Sequence, residues 1–465
     1  MTTDGQQARP PQDHPVPLTQ AIAEFATRRR DASAAPNSEA VATAVLDTVG
    51  VAIAGRETDT VRLVADWAAH SQAVGAAAVW GANRRTSAAD AALINGTAGH
   101  ALDWDDAAPV LPLHPSTVLV PALLARAAGM ETSGTALVHA FNVGNAVFRA
   151  VAEALPVNTS LRRGWHTTAT VGRIATVAAL GSLAGADAAV TAHALGAVAS
   201  MSSGSVANFG TMTKPLHAGL AARDGLMAFD LAERGFTANP GQLESPQGFF
   251  ALFGEPSSEL LSALPGRLEM WEHDWPTEWL LKRHPACYGT HHAADAALEA
   301  RTAFALDDLE RIDALIFDHD VAVMTKGKPT TGLQAKFSVE YVIAAALVRG
   351  SLPLEAFTDE AVKDPQIDEL LDRIGFAGDP DEPTRFSRLA ITLKDGRGFD
   401  VRVDVTRGDS RLPLTAAEAR AKFVSACGSG GWSTSYAERA ADALLALPQT
   451  DSAGLPNIWN TLLGA

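Results

Sequence analysis

Cysteine is nearly absent. The 465-residue chain carries only Cys287 and Cys427, and neither sits in a CxxC pattern. That excludes a disulfide framework and a cysteine-built zinc site, and it fits a reducing compartment. Other signatures are missing too. The chain has no GxxxxGK[ST] phosphate loop, HExxH pair, DxDxDG-type calcium loop or GxSxG elbow. Nucleotide, zinc-protease, calcium and serine-hydrolase readings lose their usual support. Basic charge is scarce as well, with 37 Lys and Arg against 53 Asp and Glu and a net charge of −16. Such a surface repels nucleic acid and anionic lipid, so neither is an expected partner. A small anionic substrate stays open, because a few lysines in a cleft reverse the local potential.

Long apolar runs are also lacking. The most apolar stretch, Ile174–Met201, is broken by Asp187 and His193 and is rich in Gly and Ala. A membrane span needs about 20 mostly apolar residues, so this stretch reads as buried helix. The N-terminal MTTDGQQARPPQDHP lacks the basic-then-apolar order of a signal peptide. Residues 1–17 read as a disordered tail, and the expected location is cytoplasmic.

What is present is an ordinary globular composition, 47% hydrophobic and 19% charged. The chain is longer than one core usually organises, which predicts two domains. From Leu18 to Trp271 the pattern is helical. Val41–Ile53 is almost wholly apolar without alternation, as a helix buried on most sides would be. Ser87 with Asp90 opens one helix, and Thr415-Ala416-Ala417-Glu418 is a capping-box pattern opening another. After Trp271 the texture changes. Arg311–Met324 alternates like a strand, and Phe386–Val405 reads as a hairpin around Asp395-Gly396. Ser338–Val348 between them looks helical. The expected fold class is mainly α. A large all-helical domain (18–271 and 409–465) is joined to a smaller α+β lid domain (272–408).

Four polar clusters interrupt the apolar helices. The first is Asn95-Gly96-Thr97-Ala98-Gly99-His100-Ala101-Leu102-Asp103-Trp104-Asp105-Asp106, whose crowded aspartates should keep one carboxyl protonated as an acid. A loop capping the next helix is the plainer reading. The second is His114-Pro115-Ser116-Thr117, with a histidine before a helix start where an anion can meet free N–H groups. The third, Gly164-Trp165-His166-Thr167-Thr168, repeats that placement. In the fourth, Asn208–Gly219, Lys214 and His217 lie three apart, followed by a helix over Leu220–Glu233. Lys282, Lys336 and Tyr341 are further candidates, although a single lysine is more often a solvated surface group. His291 and Asp295 share a helical face, but no third ligand has suggestive spacing, so no metal is expected.

Together NGTAGHALDWDD, HPST, GWHTTAT, NFGTMTKPLHAG, AERGFTAN, LKRHPACYGTH and AKFSVEYVIAAALVRG, in that order, resemble the MmgE/PrpD family. Its members include 2-methylcitrate dehydratase, cis-aconitate decarboxylase and iminodisuccinate epimerase. The resemblance implies a helical domain with an α+β lid, a cleft active site, no cofactor and a homodimer. Carried over by position, it implies Asp103, His114, His166, Lys214 and Tyr341 as catalytic residues, with His217 and Lys282 binding substrate. Three aspects depart from the family's pattern. Ala107-Ala108 replace a usual Thr-His, Thr167 replaces a proline, and Ser205-Val206 stand where an arginine is common. With Ala107 and Val206 taken as pocket-lining, the expected substrate has fewer carboxylates than aconitate, or a bulkier and more apolar body.

The chemistry of these residue types agrees. Dehydration, decarboxylation and epimerisation all build negative charge on carbon beside a carboxylate. Lysines in a dry cleft stabilise that charge, and histidines exchange the protons. The leading expectation is a metal-independent lyase, a dehydratase or decarboxylase of a small carboxylic acid. The alternatives are an epimerase of a dicarboxylate such as iminodisuccinate, or a dehydratase or cyclase of a larger specialised acid.

Overall fold

The computed structural model describes residues 17–464 apart from 112, 156–159, 161 and 326. The tail read at 1–17 lies outside the described residues except for Pro17. Small side chains decide how the helices pack. Ser38–Gly55 is buried along most of its length because Ala, Gly and Val dominate it. It is the one helix among the described residues long and apolar enough to cross a membrane, and 78% of it is buried inside the protein. Ala88–Ala101, Ser116–Ala127 and Gly134–Ala154 pack against it, and Thr167–Ala184 and Thr213–Glu233 pack on those helices in turn. Ser87 caps Ala88–Ala101 by accepting from Asp90 N at 3.1 Å, as the sequence predicts. A short antiparallel hairpin, β1 (Ala77–Val79) and β2 (Arg84–Thr86), interrupts the helices; no sequence signal pointed to it.

Ala88–Ala101 and Thr213–Glu233 cross closely. A Cβ on Gly96 would stand 3.0 Å from Gly219 Cα, and a Cβ on Gly219 would strike Leu93 O and the Thr97 side chain. Both positions are glycine because nothing larger fits. This crossing matters because each helix carries polar residues that meet at its end.

A second apolar core is built from residues 286–393, separate from the helical one. It contains a mixed sheet of order β4-β3-β5-β6, with β3 Leu309–Phe317, β4 Ile374–Asp379, β5 Ser387–Leu393 and β6 Gly398–Val403. β3 pairs parallel with β4 and antiparallel with β5, and β5–β6 is the hairpin turning at Asp395-Gly396. Helices His291–Ala300 and Val339–Arg349 cover the sheet. The strand expected over Arg311–Met324 stops at Phe317, where Asp318–Val321 turns into a short helix. After the sheet the chain returns to the first core. Ala416–Ser429, opened by the Thr415–Glu418 capping box, packs on Ser38–Gly55.

Candidate active site

The helix Ala88–Ala101 ends at His100, and the chain then turns sharply. Asp103 adopts a left-handed backbone, φ +53°, uncommon for a residue with a side chain and a sign of a site held by its surroundings. Lys214 Nζ donates to Asp103 Oδ2 at 2.9 Å, and Lys282 Nζ donates to Asp103 Oδ1 and, at 3.0 Å, to Asp103 O. All three side chains are buried. Burial opposes ionisation of Asp103, yet the two ammonium groups overcome it and hold the carboxyl well below its usual range.

The next two aspartates behave differently. Asp105 Oδ2 lies 2.8 Å from His100 Nδ1 and 3.1 Å from His114 Nδ1. His114 Nδ1 also lies 2.9 Å from Asp106 O, so this nitrogen carries the proton and Nε2 is left bare. Burial is again opposed, by both imidazoles, and Asp105 ionises well below the usual range. Asp106 forms no ion pair among the described residues. Its carboxylate accepts from Ser116 N, Ser116 Oγ and Trp279 Nε1. Burial outweighs those bonds and pushes its pKa up to about 7. The expectation that one aspartate stays protonated is met by Asp106, which accepts at the start of a helix, whereas Asp103 is ionised.

His166 is the residue before the helix Thr167–Ala184, and its Nδ1 lies 3.1 Å from His217 Nδ1. Lys214 and His217 sit in the first turns of Thr213–Glu233, which begins seven residues earlier than the sequence suggested. Burial lowers the pKa of both histidines, His166 well below the ordinary value and His217 to about 4. Burial lowers His114 too, against the pull of Asp105. The imidazoles are therefore neutral at pH 7.

A cavity of about 300 Å³ opens between the two cores, lined on the helical side by Ala107, Leu113, His114, His166, Phe209 and Lys214. Tyr288, Phe317, His319, Asp320, Val323 and Arg385 line the other side. Arg385 Nε donates to Asp320 Oδ2 at 2.8 Å, and another guanidinium N–H reaches Pro109 O across the cleft.

Of the residues singled out in the sequence, Ala107, His114, His166 and Lys214 thus face one cavity. Asp103 stands directly behind Lys214, and His217 behind His166. Lys282 is a correction: it is fully buried and spent on Asp103, so it does not bind substrate directly. Tyr341 is another: its hydroxyl donates to Ala356 O at 2.5 Å inside the second core and is not among the cavity lining. Val206 also lies off the cavity, beside Gly164. The sequence reading missed His100, Asp105 and Tyr288, although all three lie inside quoted motifs. Asp320 and Arg385 carried no signal, because only the tertiary fold pairs residues 65 apart.

His100, Asp105 and His114 offer donor atoms within 4.8 Å of one another and are the group among the described residues able to hold a metal ion. Their direct Nδ1–Oδ2 spacings are those of a carboxylate orienting two imidazoles. His291 and Asp295 do not come together; Asp295 Oδ1 instead lies 2.8 Å from His284 Nε2.

Residues 20–259 match the MmgE/PrpD N-terminal domain, and residues 284–447 match the MmgE/PrpD C-terminal domain. Cis-aconitate decarboxylase of Mus musculus is 31% identical over 396 residues, covering 82% of this chain and 80% of the relative. The Homo sapiens cis-aconitate decarboxylase is 29% identical over 395 residues, covering 82% and 81%. That of Aspergillus terreus is 26% identical over 361 residues, covering 72% and 71%. With both domains matched and the relatives aligned along most of its length, the chain belongs to the MmgE/PrpD family and is a lyase.

Proposed function

We propose that this lyase works without a metal or organic cofactor, moving a proton at the carbon beside a carboxylate of a carboxylic acid. One observation carries the reading. Two neutral imidazoles, His114 and His166, and one ammonium group, Lys214, line the same cavity. Lys214 holds the substrate carboxylate and stabilises the charge that spreads into it as the adjacent carbon loses a substituent. His114 Nε2, bare because Nδ1 is engaged by Asp105 and the Asp106 carbonyl, takes the proton in a dehydration. The imidazolium so formed is more acidic than in water, because burial disfavours it. It therefore returns the proton readily, and the departing hydroxyl leaves as water. In a decarboxylation the C–CO2 bonding pair stays on carbon, carbon dioxide departs, and the carbon takes up a proton drawn from solvent and relayed through an imidazole nitrogen. His166, oriented by His217, is the second group placed for such a transfer.

Proton NMR of the enzyme in D2O with citrate, 2-methylcitrate, cis-aconitate, iminodisuccinate and apolar-substituted succinates tests this. Loss of water or carbon dioxide is the expected result. Deuterium exchange alone would make the reaction an epimerisation. His166→Ala and Lys214→Ala are expected to stay folded and to lose about 100-fold or more in turnover. Full turnover in either variant removes that residue from the site.

A further inference from the structure

We infer that the cavity is built for an acid with one carboxylate, seated at Lys214, and an apolar chain or ring lying toward Val323 and Phe317. The inference rests on the proposed reading of the site and specifies its substrate class. Charge balance comes first. Among the described residues two cations face the cavity, and each is already matched by an aspartate: Lys214 by Asp103 at 2.9 Å, and Arg385 by Asp320 at 2.8 Å. Lys282 shares Asp103 and Lys336 lies beside them, against Asp103 and the ionised Asp105, so the Lys214 end holds at most one surplus positive charge. At the Arg385 end there is no surplus, and a second carboxylate there would face Asp320. His114 and His166 add none, being neutral. Each further substrate charge would therefore lose water without gaining a counter-charge, a penalty that grows as the cavity excludes water.

Shape and lining agree with charge. Leu113, Phe317 and Val323 give the cavity apolar lining, with the exposed Val110 and Pro383 also on its wall. Phe209 and Phe337 flank Lys214, their ring centres 5.4 and 5.2 Å from Nζ. Ala107 and Ala108 add two methyl groups where a hydroxyl or imidazole would have offered hydrogen bonds to a second carboxylate. A volume of about 300 Å³ lies at the lower edge of pockets that enclose whole organic ligands.

Unreactive acids separate the substrate class from the reaction. Isothermal titration at pH 7 would compare butanoate, hexanoate, octanoate and the tricarboxylate tricarballylate. Each buried methylene is expected to tighten binding about threefold, so octanoate should bind at least tenfold more tightly than butanoate. Tricarballylate should bind more weakly than octanoate. Lys214→Ala should abolish octanoate binding, and Val323→Lys, at a half-buried position, should weaken octanoate tenfold while strengthening tricarballylate. Tighter binding of tricarballylate than of octanoate, lost in Lys214→Ala, would overturn the inference and leave the proposed reaction standing. Binding indifferent to Lys214, or no binding by any acid, would overturn both.

Discussion

Asp105 and Asp106 adjoin in sequence, yet one is ionised and the other is protonated up to about pH 7, because only Asp105 faces imidazoles. Asp105 reaches no cavity; it acts by fixing His114 as its Nδ1–H tautomer. Asp105→Asn should lower kcat/KM by about 100-fold, within the range for a general base. It should also move the acid limb of the pH profile downward, because the group that favours the His114 imidazolium is gone. A purely structural role would leave that limb in place. Asp106 makes the opposite statement about stability. Its folded pKa is raised, so the native state binds a proton the unfolded chain releases. That contribution is complete below about pH 4, the ordinary carboxylate range, and is lost as pH rises to about 7. The buried histidines, with lowered pKa values, contribute in the other direction as pH rises. In thermal melts, Asp106→Asn should therefore gain relative to the wild type between pH 4 and 7, and the difference should level off above. A difference independent of pH would mean Asp106 is ionised in the native state. The sequence showed that three aspartates crowd together, but it held no information on which of them meets a lysine, an imidazole or a tryptophan.

The helices were legible where local chemistry sets them. Ser87, Thr415 with Glu418, and the apolar Val41–Ile53 run all fall where expected. The Asp395-Gly396 hairpin does too, because an Asp-Gly turn between alternating residues needs no tertiary help. The start of Thr213–Glu233 was not legible. Pro215 sits in its first turn, where its missing N–H costs nothing, although proline usually marks a break. Tyr341 was misplaced for a related reason: its segment matches a family motif, but the helical face it occupies turns into the second core. The crossing of Ala88–Ala101 with Thr213–Glu233 gives the element-level prediction. Gly219→Ala forces the helices apart at Leu93 O and Thr97. It should cost about 1–3 kcal/mol, as overpacking does. Because the two helices carry His100 and Lys214, activity should fall with it. Gly266→Ala is the contrast: it is exposed in the helix Ser258–Asp274, and an added Cβ would meet nothing within 4 Å. It should be neutral or stabilise by up to about 1 kcal/mol. Chemical denaturation of both variants checks the pair. Equal effects would mean the crossing is not under steric constraint.

Across the whole molecule, three consecutive residues join the parts. Lys336 from the second core donates to Leu102 O at 2.8 Å, Lys282 and Lys214 grip Asp103, and Lys422 donates to Trp104 O at 2.8 Å. The four lysines come from segments far apart in sequence, so the turn at Asp103 is also where distant parts of the chain meet. Lys422 brings the C-terminal helix Ala416–Ser429 back to Ser38–Gly55, where its Nζ lies 2.7 Å from Asp47 Oδ1. Burial outweighs the attraction in this pair, raising Asp47 and lowering Lys422. Such a pair adds little net stability, but removing one partner leaves the other stranded. Lys422→Met should therefore cost about 3–5 kcal/mol at pH 8. The loss should shrink toward pH 5. Without Lys422 the Asp47 pKa rises further, so the native state holds a proton that the unfolded chain gives up as pH rises. Adding Asp47→Asn should remove that pH dependence and restore part of the stability. It should not restore turnover, because Trp104 O still lacks the bond that helps hold Asp103 at φ +53°. Urea denaturation at the two pH values, with turnover measured on the same samples, separates these effects. Recovery of turnover in the double variant would show that the turn at Asp103 keeps its shape without the C-terminal helix holding it.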